Sequence, residues 1–130
     1  MTKNIKQTIY FDALAHDVYE ALIDAKKHVE FTGASASIDR KVGGEFSVWD
    51  GYATGENKEL VQDKLIVQTW RASDWPEDAE STVKFEFIAK NGKTKLVFTQ
   101  TEVPHDFVED VANGWKDFYW QPLKDYLANH

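Results

Sequence analysis

Apolar and polar residues alternate near the start of the chain, from Ile5 to Phe11. A period of two is typical of a β-strand with one buried face, so we predict a first strand in which Ile5, Gln7, Ile9 and Phe11 face the core. The spacing then changes to three and four residues over 18–23, which predicts a short amphipathic helix. The chain therefore begins with a strand that leads into a helix.

Glycine-containing turns follow these two elements. A second short helix over 26–31 should end at Gly33, because glycine readily adopts the left-handed conformation that caps a helix. Further along, an Asp-Gly pair at 50–51 and an Asn-Gly pair at 91–92 each separate two strand-like segments. Both pairs tolerate the positive φ angles of a type I′ hairpin turn. Two β-hairpins are therefore predicted.

The Asn-Gly pair at 91–92 also predicts a register. A two-residue turn there places Phe85 opposite Phe98 and Phe87 opposite Leu96, so that one face of the hairpin is apolar. Further segments rich in β-branched and aromatic residues bring the expected total to six or seven antiparallel strands.

The segment from Glu59 to Glu77 puts two tryptophans where a strand enters a loop. Leu65 to Trp70 is β-branched and aromatic enough to form a strand, and the residues around Pro76 end it. We expect Trp70 to lie inside and Trp75 near a loop tip, partly exposed beside the stiff proline. This arrangement suits a contact surface better than a catalytic site.

A long amphipathic helix is predicted for the last 25 residues. Asp106 followed by Glu109 resembles a capping box, which places the helix start there. Pro122 removes a backbone donor, so a kink is expected near it, while Gly114 would allow a close approach to the helix. An apolar stripe follows at spacings of three and four residues: Phe107, Val108, Val111, Trp115, Phe118, Tyr119, Leu123, Tyr126 and Leu127.

An antiparallel sheet with one apolar face and a long apolar helix pack together most simply if the sheet wraps the helix. The expected class is thus α+β, in one domain spanning 1–130. Motifs along the chain make a family resemblance specific: Phe11, Val18-Tyr19, Gly43-Gly44-Glu45-Phe46, Trp70-Arg71, Trp75-Pro76-Glu77, Asn91-Gly92 and Gly114-Trp115. In this order they resemble the C-terminal domain of the activator of heat-shock protein 90 ATPase, of the START-like (SRPBCC, Bet v-like) helix-grip superfamily.

This resemblance implies two kinds of function. The eukaryotic activators use the domain to contact the chaperone and favour its ATP-hydrolysing state, with a separate N-terminal domain supplying much of the binding. This chain has no room for that second domain, so full co-chaperone activity is not implied. Relatives in the wider superfamily bind lipids, sterols or polyketides in a cavity beneath the long helix.

Composition excludes several classes. A net charge of −7 argues against binding to nucleic acid or to an anionic membrane surface. The absence of cysteine excludes a disulfide scaffold, a thiolate nucleophile and a cysteine-based zinc site. The first residues lack the apolar core of a signal peptide, and no segment approaches the roughly 20 apolar residues of a membrane span. A cytoplasmic protein is expected.

Candidate chemistry is sparse. His16, His28, His105 and His130 are scattered without the spacing of metal ligands, and they are interpreted as surface residues. The acidic residues fit turns and helix ends better than an acid and base pair, and no serine has a nucleophile motif. We therefore expect no metal, no cofactor and no catalytic residue.

Three functions remain open. The first is a non-enzymatic domain that binds a small apolar ligand between sheet and helix, with the cavity lined by Trp70, Phe85, Phe87, Phe98, Trp115, Phe118 and Tyr119. The alternative is a co-chaperone-like contact with heat-shock protein 90 through Trp75 and Pro76. An enzyme of the cyclase or hydrolase type comes third. An open cavity of several hundred Å³ would favour the ligand carrier, and a filled one the surface contact.

Overall fold

Seven strands form one antiparallel sheet in the spatial order β1-β7-β6-β5-β4-β3-β2. The computed structural model describes residues 2–128, so His130 lies outside the described residues. The strands are β1 (Thr2–Phe11), β2 (Ser37–Ile38), β3 (Glu45–Val48), β4 (Ala53–Val61), β5 (Leu65–Ala72), β6 (Ser81–Lys90) and β7 (Lys93–Pro104). The first and last strands in sequence, β1 and β7, are neighbours. After β1, two helices connect this edge of the sheet to β2 at the opposite edge.

Those helices are α1 (Ala15–Ile23) and α2 (Ala25–Thr32). The Asp24 carboxylate accepts a hydrogen bond from the Lys27 backbone N–H and caps the start of α2. Gly33 ends α2 with a φ of 75°, in the left-handed conformation predicted for it. Helix α1 buries its apolar face against β6 and β7.

The C-terminal helix spans 105–128 and is built from four consecutive pieces. These are a 3₁₀ turn (His105–Phe107), α3 (Val108–Trp115), a π-helical segment (Lys116–Trp120) and α4 (Gln121–Ala128). The sheet curves around this helix, which is the α+β helix-grip architecture expected from the sequence.

The Asn-Gly turn at 91–92 gives the β6–β7 hairpin the predicted register. Phe85 pairs with Phe98 and Phe87 with Leu96 across the β6–β7 turn. At the β3–β4 turn, the Tyr52 N–H donates to the Trp49 carbonyl oxygen at 3.0 Å. The three residues from Trp49 to Gly51 all have positive φ angles. The turn carries two aromatic side chains, those of Trp49 and Tyr52, at this end of the sheet.

The C-terminal helix starts close to the predicted position, but the expected capping box is not formed. The helix begins at His105 directly after Pro104, whose fixed φ of −53° suits a helix start. Asp106 lies within the first turn instead of capping it, and its carboxylate faces the His105 ring at 3.4 Å. A proline at the boundary and the 3₁₀ turn replace the expected capping box.

The kink expected near Pro122 stays a prediction, but a π-helical segment lies directly before α4. A π-helix has more than four residues per turn, so one turn after Trp115 two consecutive residues, Tyr119 and Trp120, face the core. Both are buried, while Phe118, predicted to face inward, is 57% exposed. The π segment therefore rotates the apolar stripe by about one residue.

Two glutamines fasten the C-terminal helix to the sheet. Gln7 on β1 donates to the Ala112 carbonyl oxygen at 3.0 Å and accepts from the Trp120 indole N–H at 2.6 Å. Gln100 on β7 accepts from the Trp115 indole N–H at 2.8 Å. These bonds satisfy both buried indole groups and fix the helix above the sheet.

Candidate functional site

Aromatic side chains fill most of the space beneath the C-terminal helix. The Trp115 ring centroid lies 4.5 Å from that of Phe98 and 4.5 Å from that of Tyr119, and Phe85 packs 5.9 Å away. A pocket bounded by Phe85, Trp115 and Tyr119 on one side and by residues of the sheet and of α1 and α2 on the other has a volume of about 20 Å³. That volume holds about one water molecule, so the interior is packed like a protein core.

A buried histidine closes one end of this interior. His28 is almost fully buried, and its Nε2 lies 3.0 Å from the Tyr119 hydroxyl. Burial lowers the pKa of His28 to about 4, although the carbonyl oxygens of Leu22 and Ala21 partly oppose the shift. The interpretation of His28 as a surface residue was wrong, because α2 packs this side of the ring against the C-terminal helix.

An open cleft of about 150 Å³ adjoins the packed interior, with which it shares Trp70, Trp115 and Tyr119. It is formed between the β3–β4 turn, the outer part of β5 and the exposed edge of α3 and the π segment. Six of the nine lining residues are aromatic. The lining consists of Trp49, Tyr52, Trp70, Asp110, Val111, Gly114, Trp115, Phe118 and Tyr119.

Two aromatic pairs make the walls of this cleft. Trp49 and Phe118 meet edge to face with centroids 5.6 Å apart, and Tyr52 and Trp70 do so at 6.3 Å. Trp115 forms the floor, 5.7 Å from Trp70. One wall is therefore formed by Trp49 of the β3–β4 turn and Phe118 of the helix. The other is formed by Tyr52 of the same turn and Trp70 of β5.

Gly114 forms part of the helix side of the cleft. A Cβ added at Gly114 would meet only the Phe118 ring, at 3.9 Å, which is ordinary van der Waals contact. No other described residue requires glycine at this helical position, where it costs about 1 kcal/mol relative to alanine. Within residues 2–128, no other segment makes the close approach predicted at Gly114, and the space beside this residue is the cleft.

The electrostatic environment of the cleft is negative. Asp110 lines it, and Asp74 lies on the loop after β5. Burial raises the pKa of the Tyr52 phenol, and the charges of Asp74 and Asp110 raise it further. Among the described residues that line the cleft, Asp110 alone carries a formal charge.

The loop after β5 differs from its prediction in one important respect. Trp75 is only 4% exposed and packs 5.4 Å from Trp70 and 6.3 Å from Phe107, so its expected position at a loop tip was wrong. Pro76 is exposed as expected. The loop folds the indole back onto the core because burying so large a ring gains more than exposing it.

Arg71 holds this loop in place. Its guanidinium donates to the carbonyl oxygens of Pro76, Ala79 at 2.9 Å and Trp75 at 3.1 Å. The fork of N–H donors thus satisfies three carbonyl groups of one loop. The Trp-Arg and Trp-Pro-Glu motifs therefore act together as a structural clamp.

The residues predicted to line a cavity divide into two groups. Trp70, Trp115, Phe118 and Tyr119 line the cleft. Phe85, Phe87 and Phe98 are buried in the core, where Phe87 packs 5.6 Å from Tyr19.

Sequence reasoning did not assign five residues of the cleft to the site: Trp49, Tyr52, Asp110, Val111 and Gly114. The signal for the first two was the hairpin turn itself, because its tight geometry presents the aromatic residues on either side of 50–51 together. From the sequence, Asp110 was interpreted as part of a solvated helix face, with an acidic contact surface beside Trp75 as the alternative.

Among residues 2–128, no three or more His, Cys, Asp or Glu side chains are grouped to hold a metal ion. Within the same residues no helix combines the length and apolar character needed to cross a membrane.

Known proteins share both the sequence and the fold. Residues 12–128 match the family described as activator of Hsp90 ATPase homolog 1-like protein. Activator of 90 kDa heat shock protein ATPase homolog 1 from Homo sapiens is 37% identical over 94 residues, covering 72% of this chain and 28% of that protein. The Dictyostelium discoideum homolog is 34% identical over 117 residues, covering 88% of this chain and 30% of that protein. The chain thus spans roughly a third or less of these relatives' length.

Solved structures extend the comparison. An HSP90 activator from Plasmodium falciparum superposes with a TM-score of 0.90 at 30% identity, covering 96% of each chain. CalU16 from Micromonospora echinospora superposes with a TM-score of 0.78 at 18% identity, covering 98% of this chain and 80% of that one, which shows a shared fold alone. Because the family match covers most of its length, the chain belongs to the activator of Hsp90 ATPase homolog 1-like family.

Proposed function

We propose that this domain is a non-enzymatic binding domain that contacts a 90 kDa heat shock protein and stimulates its ATPase. The observation that carries the proposal is the agreement of sequence and structure with named activators, at 37% identity for the human protein and a TM-score of 0.90 for the Plasmodium structure. Both relatives are named for this activity, whereas the neighbours below 25% identity share only the fold.

The geometry supports a surface contact in preference to an internal ligand. The pocket between the sheet and the Trp115 and Tyr119 rings measures about 20 Å³, which is far below the several hundred Å³ of an ordinary ligand site. Two surface features lie close together near the end of β5: the clamped loop over 73–80 and the aromatic cleft with its exposed Phe118. A rigid loop beside a partly exposed aromatic residue suits a protein interface, since little conformational entropy is lost on binding.

The direct test is the steady-state ATPase rate of purified heat shock protein 90 with and without this chain. A concentration-dependent rise in the rate is expected. Glu77→Lys at the exposed loop tip should weaken the effect, and Glu59→Lys on the distant part of β4 is the control with the same charge change. An unchanged ATPase rate together with no binding at high micromolar chaperone would reject the proposal.

A second candidate function is binding of a small ligand, and the open cleft of about 150 Å³ favours it. An apolar cavity of about that volume accommodates a molecule the size of benzene. We place the ligand in this cleft, whereas the sequence predicted a larger space enclosed by the phenylalanines of β6 and β7. Small aromatic compounds should shift the Trp49 indole N–H resonance, and a screen that moves neither this signal nor the tryptophan emission would count against it.

A further inference from the structure

The aromatic cleft has an unusual combination of shape and charge. The rings of Trp49, Tyr52, Trp70 and Phe118 form its walls, and the Asp110 carboxylate lies at its rim. Each ring face carries the negative part of the π quadrupole, which attracts a cation placed over it. The carboxylate adds a full negative charge of the same sign. A neutral hydrocarbon would use the apolar walls but would gain nothing from these fields.

Charges around the cleft strengthen this preference. Asp74 and Asp110 both act on the Tyr52 phenol, so two carboxylates share this side of the molecule. Neither forms an ion pair with another described residue. No Lys or Arg among the described residues lines the cleft. The negative field therefore remains available to a bound cation.

Hydrogen-bonding capacity distinguishes among cations. A guanidinium brings five N–H donors and a primary ammonium brings three, and each donor buried without an acceptor carries a cost. The side chains of the cleft offer few free acceptors, namely the Asp110 carboxylate and the Tyr52 hydroxyl, because the buried Tyr119 hydroxyl pairs with His28. A fully methylated ammonium has no N–H group to satisfy and presents an apolar, positively charged surface to the rings.

From these observations we infer that the cleft formed by Trp49, Tyr52, Trp70, Asp110 and Phe118 is a binding site for a quaternary ammonium head group. The volume of about 150 Å³ suits one such group, with the rest of the ligand leaving through the open side. This inference specifies the ligand of the second candidate function and rests on it. The chaperone contact proposed above uses the same cleft, but choline binding is measured without the chaperone, so the failure of one proposal is distinguishable from the failure of the other.

Gly114 fits the same account. Its missing side chain leaves the helix side of the cleft open, although the chain would accommodate a Cβ there without a clash. Alanine at this position would favour the helix and narrow the site. The glycine therefore keeps space for an occupant that is not part of the chain.

The experiment compares choline with its neutral isostere 3,3-dimethylbutan-1-ol, using the full chain, isothermal titration and the indole N–H resonances. Choline should bind about tenfold more tightly, and the Trp49 signal should move while that of the buried Trp120 does not. Equal affinity for both compounds would overturn the inference but keep a small-ligand site. If small neutral aromatic compounds bound and choline did not, the inference would likewise be overturned and a small-ligand site would remain.

Pairs of matched variants distinguish a loss of choline binding from a loss of folding. Asp110→Asn should weaken choline binding by about fivefold, whereas Asp117→Asn, an equal charge change on the exposed face of the same helix, should leave it unchanged. Gly114→Ala should weaken binding without loss of stability, and Asn113→Ala outside the cleft is its control. Equal effects of the two members of either pair would contradict the assignment.

The source of the head group is decided by a further comparison. A peptide containing trimethyllysine that binds more tightly than choline would identify a modified protein side chain. Tighter binding of choline would identify a free small molecule. Both results support a quaternary ammonium site. The inference would be overturned if choline did not bind and the trimethyllysine peptide bound no better than its unmethylated form.

Discussion

The Trp115 indole N–H donates to Oε1 of Gln100 at 2.8 Å, with both side chains buried. The Gln100 amide in turn donates to the Ser81 hydroxyl at 2.9 Å, and that hydroxyl donates to the Trp70 carbonyl oxygen at 2.7 Å. This chain of bonds runs from the C-terminal helix through β7 and β6 to β5. It holds the floor of the cleft in one orientation relative to the sheet.

Replacing Gln100 by leucine should destabilise the protein by about 2 kcal/mol or more. The substitution leaves the buried Trp115 indole N–H without an acceptor while preserving much of the side-chain volume. Urea unfolding followed by circular dichroism measures the change. Gln121→Leu, at an exposed position on α4, should alter the free energy of unfolding by less than about 0.5 kcal/mol. Similar values for both variants would contradict the role given to Gln100.

Arg71→Lys should loosen the loop over 73–80. Lysine keeps the charge but lacks the planar fork that reaches three carbonyl oxygens, so we expect a loss of about 2 kcal/mol in local stability. Hydrogen exchange measured by mass spectrometry should show faster exchange in this loop while β6 and β7 keep their protection. Unchanged protection of the loop would show that Trp75 alone holds it.

Acid should destabilise the fold through His28. The folded-state pKa of about 4 lies below the unfolded value of 6.5, so the unfolded chain binds this proton first as the pH falls. Stability is therefore unaffected by His28 above pH 6.5 and falls by about 1.4 kcal/mol per unit between 6.5 and 4. His28→Gln keeps a polar partner for Tyr119 and should show a shallower slope over this range. Parallel pH profiles for the two proteins would contradict the assignment.

Gly114→Ala should stabilise the protein by up to about 1 kcal/mol, because alanine favours the helix and its Cβ meets only the Phe118 ring at 3.9 Å. Thermal unfolding measures this change. Destabilisation would mean that the helix wall of the cleft is more tightly packed than its contacts indicate.

The parts of the fold that follow local rules were predictable from the sequence. Positive φ at 91–92 and the alternation across Phe85 and Phe98 determined the β6–β7 register, and Gly33 ended α2 as expected. The errors came from long-range packing. The π segment moved Phe118 outward and Trp120 inward, which no α-helical period describes.

The candidate site was only partly predictable for the same reason. Trp70 and Trp115 were identified because buried aromatic residues on a strand and a helix follow a regular spacing. Trp49 and Asp110 come together only when the β3–β4 turn reaches the helix, a contact between residues far apart in sequence. Trp75 looked exposed because its loop has polar neighbours, yet Arg71 folds that loop onto the core.

The central claim is that recognition takes place at the surface formed by the loop over 73–80 and the aromatic cleft, above a filled interior. Titration of the ¹⁵N-labelled chain with unlabelled heat shock protein 90, followed by NMR, tests it most directly. We predict that resonances of the loop and the Trp49 indole N–H shift or broaden first, while the Trp120 indole N–H is unaffected until the whole spectrum broadens. Absence of any change, or changes confined to the opposite edge of the sheet around the β6–β7 turn, would contradict the account.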